Sequence, residues 1–178
     1  MNVTDEDLAR SAASGDSQNF YSSLERCYDR IFGLAFRLTG SHAEAEDLTQ
    51  DICASLLKKL QSYQAKSHYS TWSYRVIVNA AHDRRRRATR HRKTALDWGD
   101  WELARQADYQ EGVALTGWLI TTMQSLPAEV RDTLAPVLDD VTHHNAGQII
   151  GVSQGKIGWR VSQAKLRLRA LKAPEQTQ

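Results

Sequence analysis

Apolar residues recur at helical spacing along most of this sequence, and that periodicity limits the fold more than any other feature. The stretch 45–60, for example, places its apolar side chains three or four positions apart, at Ala45, Leu48, Ile52, Leu56 and Leu60. Residues spaced in this way share one face of an α-helix, whereas a half-buried strand requires strict alternation. No segment alternates for long, and no Asn-Gly or Asp-Gly pair marks a hairpin. The sequence therefore predicts an all-α protein.

Glycines and capping residues predict where the helices begin and end. In the first half we expect helices near 5–13, 17–38, 41–62 and 70–90, with a loop at 63–69. Gly40 suits the end of the second helix because glycine adopts positive φ without strain. Ser41, followed three residues later by Glu44, is a capping-box pattern that starts the third helix.

A weakly periodic, acidic segment at 94–111 separates these helices from a second unit. Trp98 and Trp101 within it argue against a fully disordered tether, and we expect both to dock on the protein. The second unit begins near Gly112 and holds a helix at about 113–124, another after Pro127, and a terminal pair. The sequence thus predicts two small helical domains joined by a linker.

Positive charge is concentrated in two segments that are far apart in the sequence. The net charge is only +2, yet residues 84–93 carry seven Lys or Arg and residues 153–172 carry six, with no acid in either. This distribution predicts two contacts with one polyanion, or one contact with each of two. No apolar run is long enough for a bilayer, and the acidic N-terminus is unlike a secretory signal, so we expect a cytoplasmic location. Cys27 and Cys53 lack metal-ligand spacing and are expected to be reduced thiols.

The C-terminal segment "GQIIGVSQGKIGWRV" has the pattern of a helix-turn-helix. Gly151 falls at a sharp turn, and Ser153 is a suitable N-cap for the second helix. The core stripe of that helix consists of Ile157, Val161, Ala164, Leu168 and Leu171, and outside it we place Lys156, Trp159, Arg160 and Gln163. A helix of this kind reads base edges and phosphates in the major groove. A solvated basic helix would show the same charge, but the turn and the cap favour DNA binding.

The segment "STWSYRVIVNAAHDRRRR", residues 70–87, combines a core stripe with an aromatic and basic face. One side of a helical wheel holds Tyr74, Ile77, Val78 and Ala81, and another holds Arg75, Asn79, His82 and Arg86. Trp72 lies beside the polar stripe, where it would either stack on an unpaired base or pack against a neighbouring helix. The arginine run at 84–87 would contact phosphates.

Acidic and amide side chains occupy the outer face of the helix expected at 41–62. We call Asp47, Gln50 and Asp51, which lie outside its apolar stripe, the acidic strip. Acidic groups beside a DNA-binding helix would repel phosphate, so they are better explained as a docking face for a basic protein partner. A solvated helix start that suits the helix dipole explains Glu44 well, but it explains Gln50 and Asp51 less well.

Together these segments resemble a bacterial sigma factor of the sigma-70 family, in the extracytoplasmic-function (ECF) group, group 4. The resemblance rests on "AEDLTQDICASLLKKLQSY", the segment at 70–87 and the C-terminal helix-turn-helix, and it covers about residues 16–172. It implies a sigma region 2 domain at 1–93, a linker at 94–111 and a sigma region 4 helix-turn-helix domain at 112–178. Such a protein binds core RNA polymerase, recognises the −10 and −35 promoter elements and helps to open promoter DNA of a stress- or signal-responsive regulon. The resemblance implies no enzymatic activity, no cofactor and no metal.

The resemblance also implies roles for individual residues and partners. Contact with the β′ coiled coil of core polymerase is implied for Asp47, Leu48, Gln50 and Asp51. Recognition and melting of the −10 element, with its non-template single strand, is implied for Lys66, Ser67, His68, Tyr69, Ser70, Thr71, Trp72, Tyr74, Arg75, Asn79, His82, Asp83, Arg84, Arg86 and Arg87. Reading of the duplex −35 element is implied for Ser153, Gln154, Gly155, Lys156, Trp159, Arg160, Gln163 and Arg167. Further implied partners are the polymerase β flap and an anti-sigma factor, which would hold the protein at the inner membrane without membrane insertion.

The sequence departs from the family pattern at three places. Ser73 stands where an apolar residue is usual, and Ala65-Lys66 stand where a pair of Arg and Gly is frequent. Gly147 stands where a helix-turn-helix usually has Ala, which we expect to weaken the first helix by ~1 kcal/mol. These departures bear on promoter preference rather than on the class of protein.

Two other functions fit parts of the sequence. A stand-alone dimeric helix-turn-helix regulator would account for residues 140–172, but it would leave the acidic strip and the segment at 70–87 without a role. A nuclease or metal hydrolase would draw on Asp139, Asp140, His143 and His144, although no ligand spacing is recognisable among them.

Overall fold

The computed structural model describes residues 4–94 and 114–172, which form eight α-helices and contain no strand. The helices are α1 (Asp5–Ala13), α2 (Ser17–Thr39), α3 (His42–Leu60), α4 (Tyr69–Thr94), α5 (Ala114–Gln124), α6 (Ala128–Val137), α7 (His143–Ile150) and α8 (Gln154–Lys172). The predicted all-α class is confirmed. Most of the expected linker, with Trp98 and Trp101, lies outside the described residues. Within those residues, no helix combines the length and the apolarity needed to cross a membrane.

The junction between α2 and α3 follows the predicted boundary signals. Gly40 ends α2 in the left-handed conformation, with φ at +73°. A Cβ added at this glycine would lie 2.5 Å from side-chain carbons of Gln124 on α5. The Ser41 hydroxyl then accepts a hydrogen bond from the backbone N–H of Glu44, at 3.4 Å, and starts α3. The chain therefore reverses where a glycine and a serine each meet a specific backbone requirement.

Helices α1 to α4 bury the apolar stripes that the periodicity predicted. Each residue of the α3 stripe at 45–60 is at most 2% exposed. On α4, Ile77, Val78 and Ala81 are at most 3% exposed, and Tyr74 is 6% exposed. Burial of such side chains supplies about 25 cal/mol per Å² of apolar surface, so these two stripes fix how α3 and α4 lie in the bundle.

The apolar stripe of α8 is buried only along its first half. Ile157 and Ala164 are fully buried, Val161 is 6% exposed, and Leu171 is 51% exposed. The prediction that Leu171 faces the core is wrong. Helix α8 has 19 residues, whereas its packing partners α6 and α7 have 10 and 8, so its last turns extend beyond them.

Helices α5 and α6 lie against α2, α7 lies against α4, and the two units share one apolar core. Val130 and Leu134 of α6 and Ile149 of α7 belong to the same buried cluster as Leu34 of α2 and Ile77 of α4. A smaller cluster around Ile157 holds α8 against the turns that flank α7. This packing brings the predicted −10 helix, α4, next to the predicted helix-turn-helix, α7–α8.

Candidate nucleic-acid and protein interfaces

The acidic strip lies on the surface of α3. The side chains of Asp47 and Asp51 are 64% and 74% exposed, and Gln50 is exposed between them. Leu48, which was assigned to the same contact, is 1% exposed and belongs to the core, because it is one of the apolar residues of the α3 stripe. The strip can therefore meet a partner through its polar side chains alone.

Arg84 of α4 reaches across to the acidic strip. Its guanidinium nitrogens lie 3.1 Å from Asp47 Oδ2 and 3.6 Å from Asp51 Oδ2. Because all three side chains are well exposed, these ion pairs contribute little to stability and can be exchanged for other partners. Two predicted interfaces, one for protein and one for DNA, are thus in contact through one arginine.

Trp72 packs against two tyrosines. Its ring lies 5.2 Å from that of Tyr63 and 5.7 Å from that of Tyr69, the latter in a stacked arrangement. The Tyr63 hydroxyl donates to the carbonyl of Ser67, at 2.8 Å, which closes the loop that precedes α4. These partners belong to the preceding loop and to α4 itself, and Trp72 remains half-buried, so stacking on an unpaired base stays a prediction.

Two residues predicted to contact DNA at the start of α4 are buried. Tyr69 is 1% exposed, its backbone N–H donates to Glu6 Oε1 at 3.3 Å, and burial raises the pKa of its hydroxyl. Thr71 is 4% exposed. Both lie within the first turn of α4, which begins at Tyr69, one residue before the expected start. The exposed residues here are Lys66, His68 and Ser70, while Ser67 is half-buried.

Two neighbouring residues of α4, Tyr74 and Arg75, make hydrogen bonds to the C-terminal part of the chain. The Tyr74 hydroxyl donates to Asp139 Oδ2 at 3.0 Å, and the Arg75 guanidinium donates to the Gln148 carbonyl at 2.8 Å. Burial, together with the negative charge of Asp139, raises the pKa of Tyr74 to about 12. Tyr74 was assigned both to the core and to DNA contact, and its 6% exposure supports only the first assignment.

The remaining predicted residues of α4 lie farther along the helix. Asn79 and Arg87 are exposed, and Arg86 pairs with Asp83 at 2.9 Å, one helical turn away. These side chains and the loop at 64–68 form the part of the predicted −10 surface that solvent reaches.

Asp132 of α6 is the centre of a buried ionic cluster that the sequence did not reveal. It is 3% exposed, and its carboxylate accepts two hydrogen bonds from Arg85, at 2.6 and 2.8 Å. His82 Nε2 lies 2.7 Å from Asp132 Oδ2. Burial alone would raise the pKa of Asp132, but the hydrogen bonds from His82 and Arg85 outweigh burial and hold it below the ordinary value. A signal was available, because Asp132 stands between the apolar positions Val130 and Leu134.

The N-terminal half of α8 exposes most of the residues that were predicted to read the −35 element. Gly151 adopts φ of +79°, and the Ser153 hydroxyl accepts from the backbone N–H of Lys156 at 3.3 Å. Trp159 is 58% exposed, and Ser153, Gln154, Gly155 and Lys156 before it are exposed too, as is Arg167 farther along the helix. Gln163 is half-buried.

Arg160 is the exception on this helix, since it is 5% exposed. Its guanidinium donates to Glu129 Oε2 at 2.9 Å and to Thr133 Oγ1 at 3.3 Å, both on α6. The expectation that Arg160 lies outside the core stripe is therefore wrong. Position 160 is three residues after Ile157 and four before Ala164, so it shares their face of the helix.

Asp139 and Asp140, two members of the acid and histidine cluster that suggested a metal site, have other structural roles. Asp139 accepts hydrogen bonds from Arg37 and Tyr74, and Asp140 has a left-handed backbone with φ of +58°. Within residues 4–94 and 114–172, no three His, Cys, Asp or Glu side chains are grouped as metal ligands.

Comparisons with known proteins match this chain to sigma factors. Residues 24–91 match the family described as Sigma-70 region 2. The ECF RNA polymerase sigma factor SigE of Mycolicibacterium smegmatis is 31% identical over 150 residues, which cover 79% of this chain but only 56% of that relative. The ECF RNA polymerase sigma factor SigM of Mycobacterium tuberculosis is 25% identical over 169 residues, which cover 94% of this chain and 84% of that relative.

The fold also has a counterpart among solved structures. The sigma factor RpoE from Bartonella quintana, solved in complex with the anti-sigma factor NepR, superposes with a TM-score of 0.73. The two chains are 22% identical, and the match covers 89% of this chain and 99% of that one. At this identity the likeness establishes a shared fold.

Proposed function

We propose that this chain is a sigma factor of the sigma-70 family, related in sequence to the ECF factors, and that it directs core RNA polymerase to promoters. It binds core polymerase, recognises −10 and −35 elements and helps to open the DNA between them. The assignment to group 4 and the division into domains at 1–93 and 112–178 with a linker at 94–111 belong to the same proposal. The chain supplies recognition and no bond chemistry.

The observation that carries this proposal is the separation of unlike surfaces on one small chain. An anionic strip on α3 is exposed and suits a basic protein surface such as the β′ coiled coil. The first turns of α8 expose Lys156 and Trp159, which suit the major groove of the −35 element. A stand-alone regulator has use for the second surface but not for the first.

Opening of the −10 element needs a further source of binding energy. Extruding a base costs a few kcal/mol, and stacking or hydrogen bonds in a pocket must offset it. The loop at 64–68 exposes Lys66 and His68, which supports such a role. Asn79 and Arg87, on the helix that follows this loop, are exposed as well. The backbone of Ala65 in this loop is left-handed, with φ of +52°, which shapes the turn of the loop.

Run-off transcription with purified core polymerase tests the proposal. We expect discrete transcripts that depend on the chain, and start sites that share −35 and −10 elements at a fixed spacing. The control is core polymerase alone, which should give none. If the chain does not co-migrate with core polymerase but binds a duplex operator alone as a dimer, the stand-alone regulator is the correct function.

An anti-sigma factor belongs to the proposed partners, with the β flap and promoter DNA. The solved relative in the same fold is bound to an anti-sigma factor, which supports a similar partner for this chain. Acting in the cytoplasm, the protein would be withheld from polymerase by that partner until a signal releases it. A purified anti-sigma factor should therefore suppress the run-off product in proportion to its amount.

A further inference from the structure

The loop at 64–68 is held in one shape by a hydrogen bond that closes it. The Tyr63 hydroxyl, just before the loop, donates to the carbonyl of Ser67 at 2.8 Å. Between these two residues, Ala65 has a left-handed backbone with φ of +52°, which a residue with a Cβ adopts only at a cost in free energy. The loop therefore keeps this shape only while contacts at its ends maintain it.

The end of the loop, where α4 begins, depends on α1. The N–H groups in the first turn of a helix have no acceptor within that helix. His68 precedes α4, and histidine is not among the residues that commonly supply a side-chain oxygen at this position. Instead, Glu6 Oε1 on α1 accepts a hydrogen bond from the backbone N–H of Tyr69, the first residue of α4, at 3.3 Å. The carboxylate also suits the positive end of the helix dipole.

The same carboxylate influences residues at both ends of the loop. At the far end, Glu6 Oε1 lies 3.6 Å from His68 Nδ1. At the near end, burial and, after it, the negative charge of Glu6 raise the pKa of the Tyr63 hydroxyl, the group that closes the loop. Glu6 is therefore placed to hold the loop together with the start of α4.

Helix α1 is fixed firmly enough to carry this contact. Its Leu8 and Ala12 are 3% and 0% exposed, so the helix is packed into the core. Asp5, next to Glu6, pairs with Arg30 of α2 at 3.3 Å. The Glu6 side chain itself is 39% exposed, so it can be replaced without opening the core.

We propose that Glu6 is a positioning residue for single-strand recognition, because its hydrogen bond to the start of α4 fixes the loop at 64–68 in the shape that presents Lys66 and His68 to the non-template strand. Helix α1 precedes residues 24–91, the segment that matches Sigma-70 region 2. The proposal rests on the proposed function, because it takes this loop to be part of the −10 surface. A loop that is ordered before binding loses less conformational freedom when DNA binds.

Three replacements of Glu6 separate its hydrogen bond from its charge. Glu6→Gln keeps an acceptor oxygen at the same reach and loses the charge. Glu6→Asp keeps the charge but is one methylene shorter, so its carboxylate no longer reaches the Tyr69 N–H. Glu6→Ala loses both. Glu25→Ala, which removes the same side chain from an exposed position on α2, is the matched control.

Hydrogen exchange of the full-length chain tests the hydrogen bond without polymerase. We expect the amides of a peptide spanning 63–72 to exchange about tenfold faster in Glu6→Ala and Glu6→Asp than in the wild type, the size expected for loss of a helix cap. Glu6→Gln and Glu25→Ala should exchange like the wild type, because the acceptor at Tyr69 is retained in both.

Holoenzyme assembled with core polymerase tests the effect on promoter opening. The probe is 2-aminopurine in the −10 non-template strand of a promoter found by run-off transcription, and its fluorescence reports unstacking. We expect the equilibrium constant for opening to fall about three- to tenfold for Glu6→Ala and Glu6→Asp, and to change little for Glu6→Gln and Glu25→Ala. Affinity of the holoenzyme for a duplex that carries only the −35 element should be the same for all five proteins.

Four outcomes would overturn the proposal. Wild-type exchange in Glu6→Ala would show that Glu6 does not cap α4. Faster exchange with unchanged opening would show that the contact does not position the loop for DNA. An equal loss of −35 affinity would reduce the effect to general destabilisation. Wild-type behaviour of Glu6→Asp, together with a loss in Glu6→Gln, would assign the effect to charge instead of the hydrogen bond.

Failure of the proposed function is a separate result. If the wild-type chain gives no transcripts with core polymerase, the sigma function is refuted and the DNA role of the loop with it. The exchange measurement on Glu6 and α4 would still stand, because it does not involve polymerase or DNA.

Discussion

Gly147 lies near the end of α7, and its missing side chain makes room for the turn into α8. A Cβ added there would be 2.7 Å from the carbonyl oxygen of Val152, a backbone atom that cannot easily move away. The cost of a glycine within a helix, ~1 kcal/mol, was expected to weaken α7. The contact with Val152 shows that the glycine is required by the turn, so its cost is offset by the close approach of the two segments.

Gly147→Ala should therefore destabilise the protein even though alanine favours helices. We expect a loss of about 1–3 kcal/mol, the usual range for overpacking, measured from urea unfolding. Gly155→Ala, in the first turn of α8 with nothing within 4 Å of its added Cβ, is the matched control and should be neutral or slightly stabilising. Equal effects from the two changes would contradict a role for the Val152 contact.

Asp51 is the residue of the acidic strip that we expect to matter most for polymerase binding. Its side chain is 74% exposed, so Asp51→Arg should leave the fold intact while placing a positive charge before a basic partner. Affinity for core polymerase should fall at least tenfold in a pull-down titration with circular dichroism unchanged. Glu46→Arg, the same charge reversal on the same helix outside the strip, should bind core polymerase nearly as well as the wild type.

Apolar periodicity predicted the helices and their buried faces well. The residues that it misplaced, Arg160 and Leu171, each have a physical explanation. The stripes of α3 and α4 were recognisable because their members are apolar or aromatic and fall on one face at helical spacing. Arg160 was misplaced because its charge was given more weight than its position on the same face as Ile157. Long basic side chains bury their aliphatic stems when a carboxylate such as Glu129 meets the head group. Leu171 was misplaced because periodicity does not show where the neighbouring helices end.

The two kinds of basic residue on α8 should separate cleanly under mutation. Lys156→Ala should leave the urea midpoint unchanged and weaken binding to −35 duplex, with the slope of log affinity against log salt falling by about one. Arg160→Ala should instead lower stability by about 1–2 kcal/mol, because Glu129 and Thr133 lose their partner. Equal loss of −35 and −10 binding by Lys156→Ala at unchanged stability would argue against separate reading surfaces.

The packing of the two units against each other was beyond reach of the sequence. It depends on a few polar anchors, Asp132, Asp139 and the Gln148 carbonyl, which meet residues 47 to 102 positions away. Helical periodicity reports which face of an element is buried, but not which element covers it. The sequence predicted correctly that Asp47, Asp51 and Lys156 are exposed. It did not predict residues whose position depends on tertiary contacts, such as Asp132.

Asp132 makes the stability of the whole molecule sensitive to acid. Its pKa in the folded chain lies below the ordinary value of 3.8, so the ionised form is favoured by folding. Its contribution is present above that value and is lost as pH falls through the lowered pKa. We expect Asp132→Asn to cost about 2 kcal/mol at pH 7.

Urea midpoints measured from pH 7 down to pH 3 check this sign. The difference between the wild type and Asp132→Asn should shrink below about pH 4, as the wild-type carboxylate becomes protonated. Asp140→Asn should follow the wild type over the whole range. A difference that grows on acidification would mean that the folded chain favours the neutral acid.

Substitution of Gly40 is disfavoured for two independent reasons. Its backbone angle of +73° strains any L-residue with a side chain, and the added carbon would also meet Gln124 at 2.5 Å. Gln124 cannot simply swing aside, because its amide donates to the Arg37 carbonyl and accepts from Arg131. A compensating change at 124 would remove the collision and leave the backbone strain, so only residues that tolerate the left-handed region, such as Asn, could then replace Gly40 at modest cost.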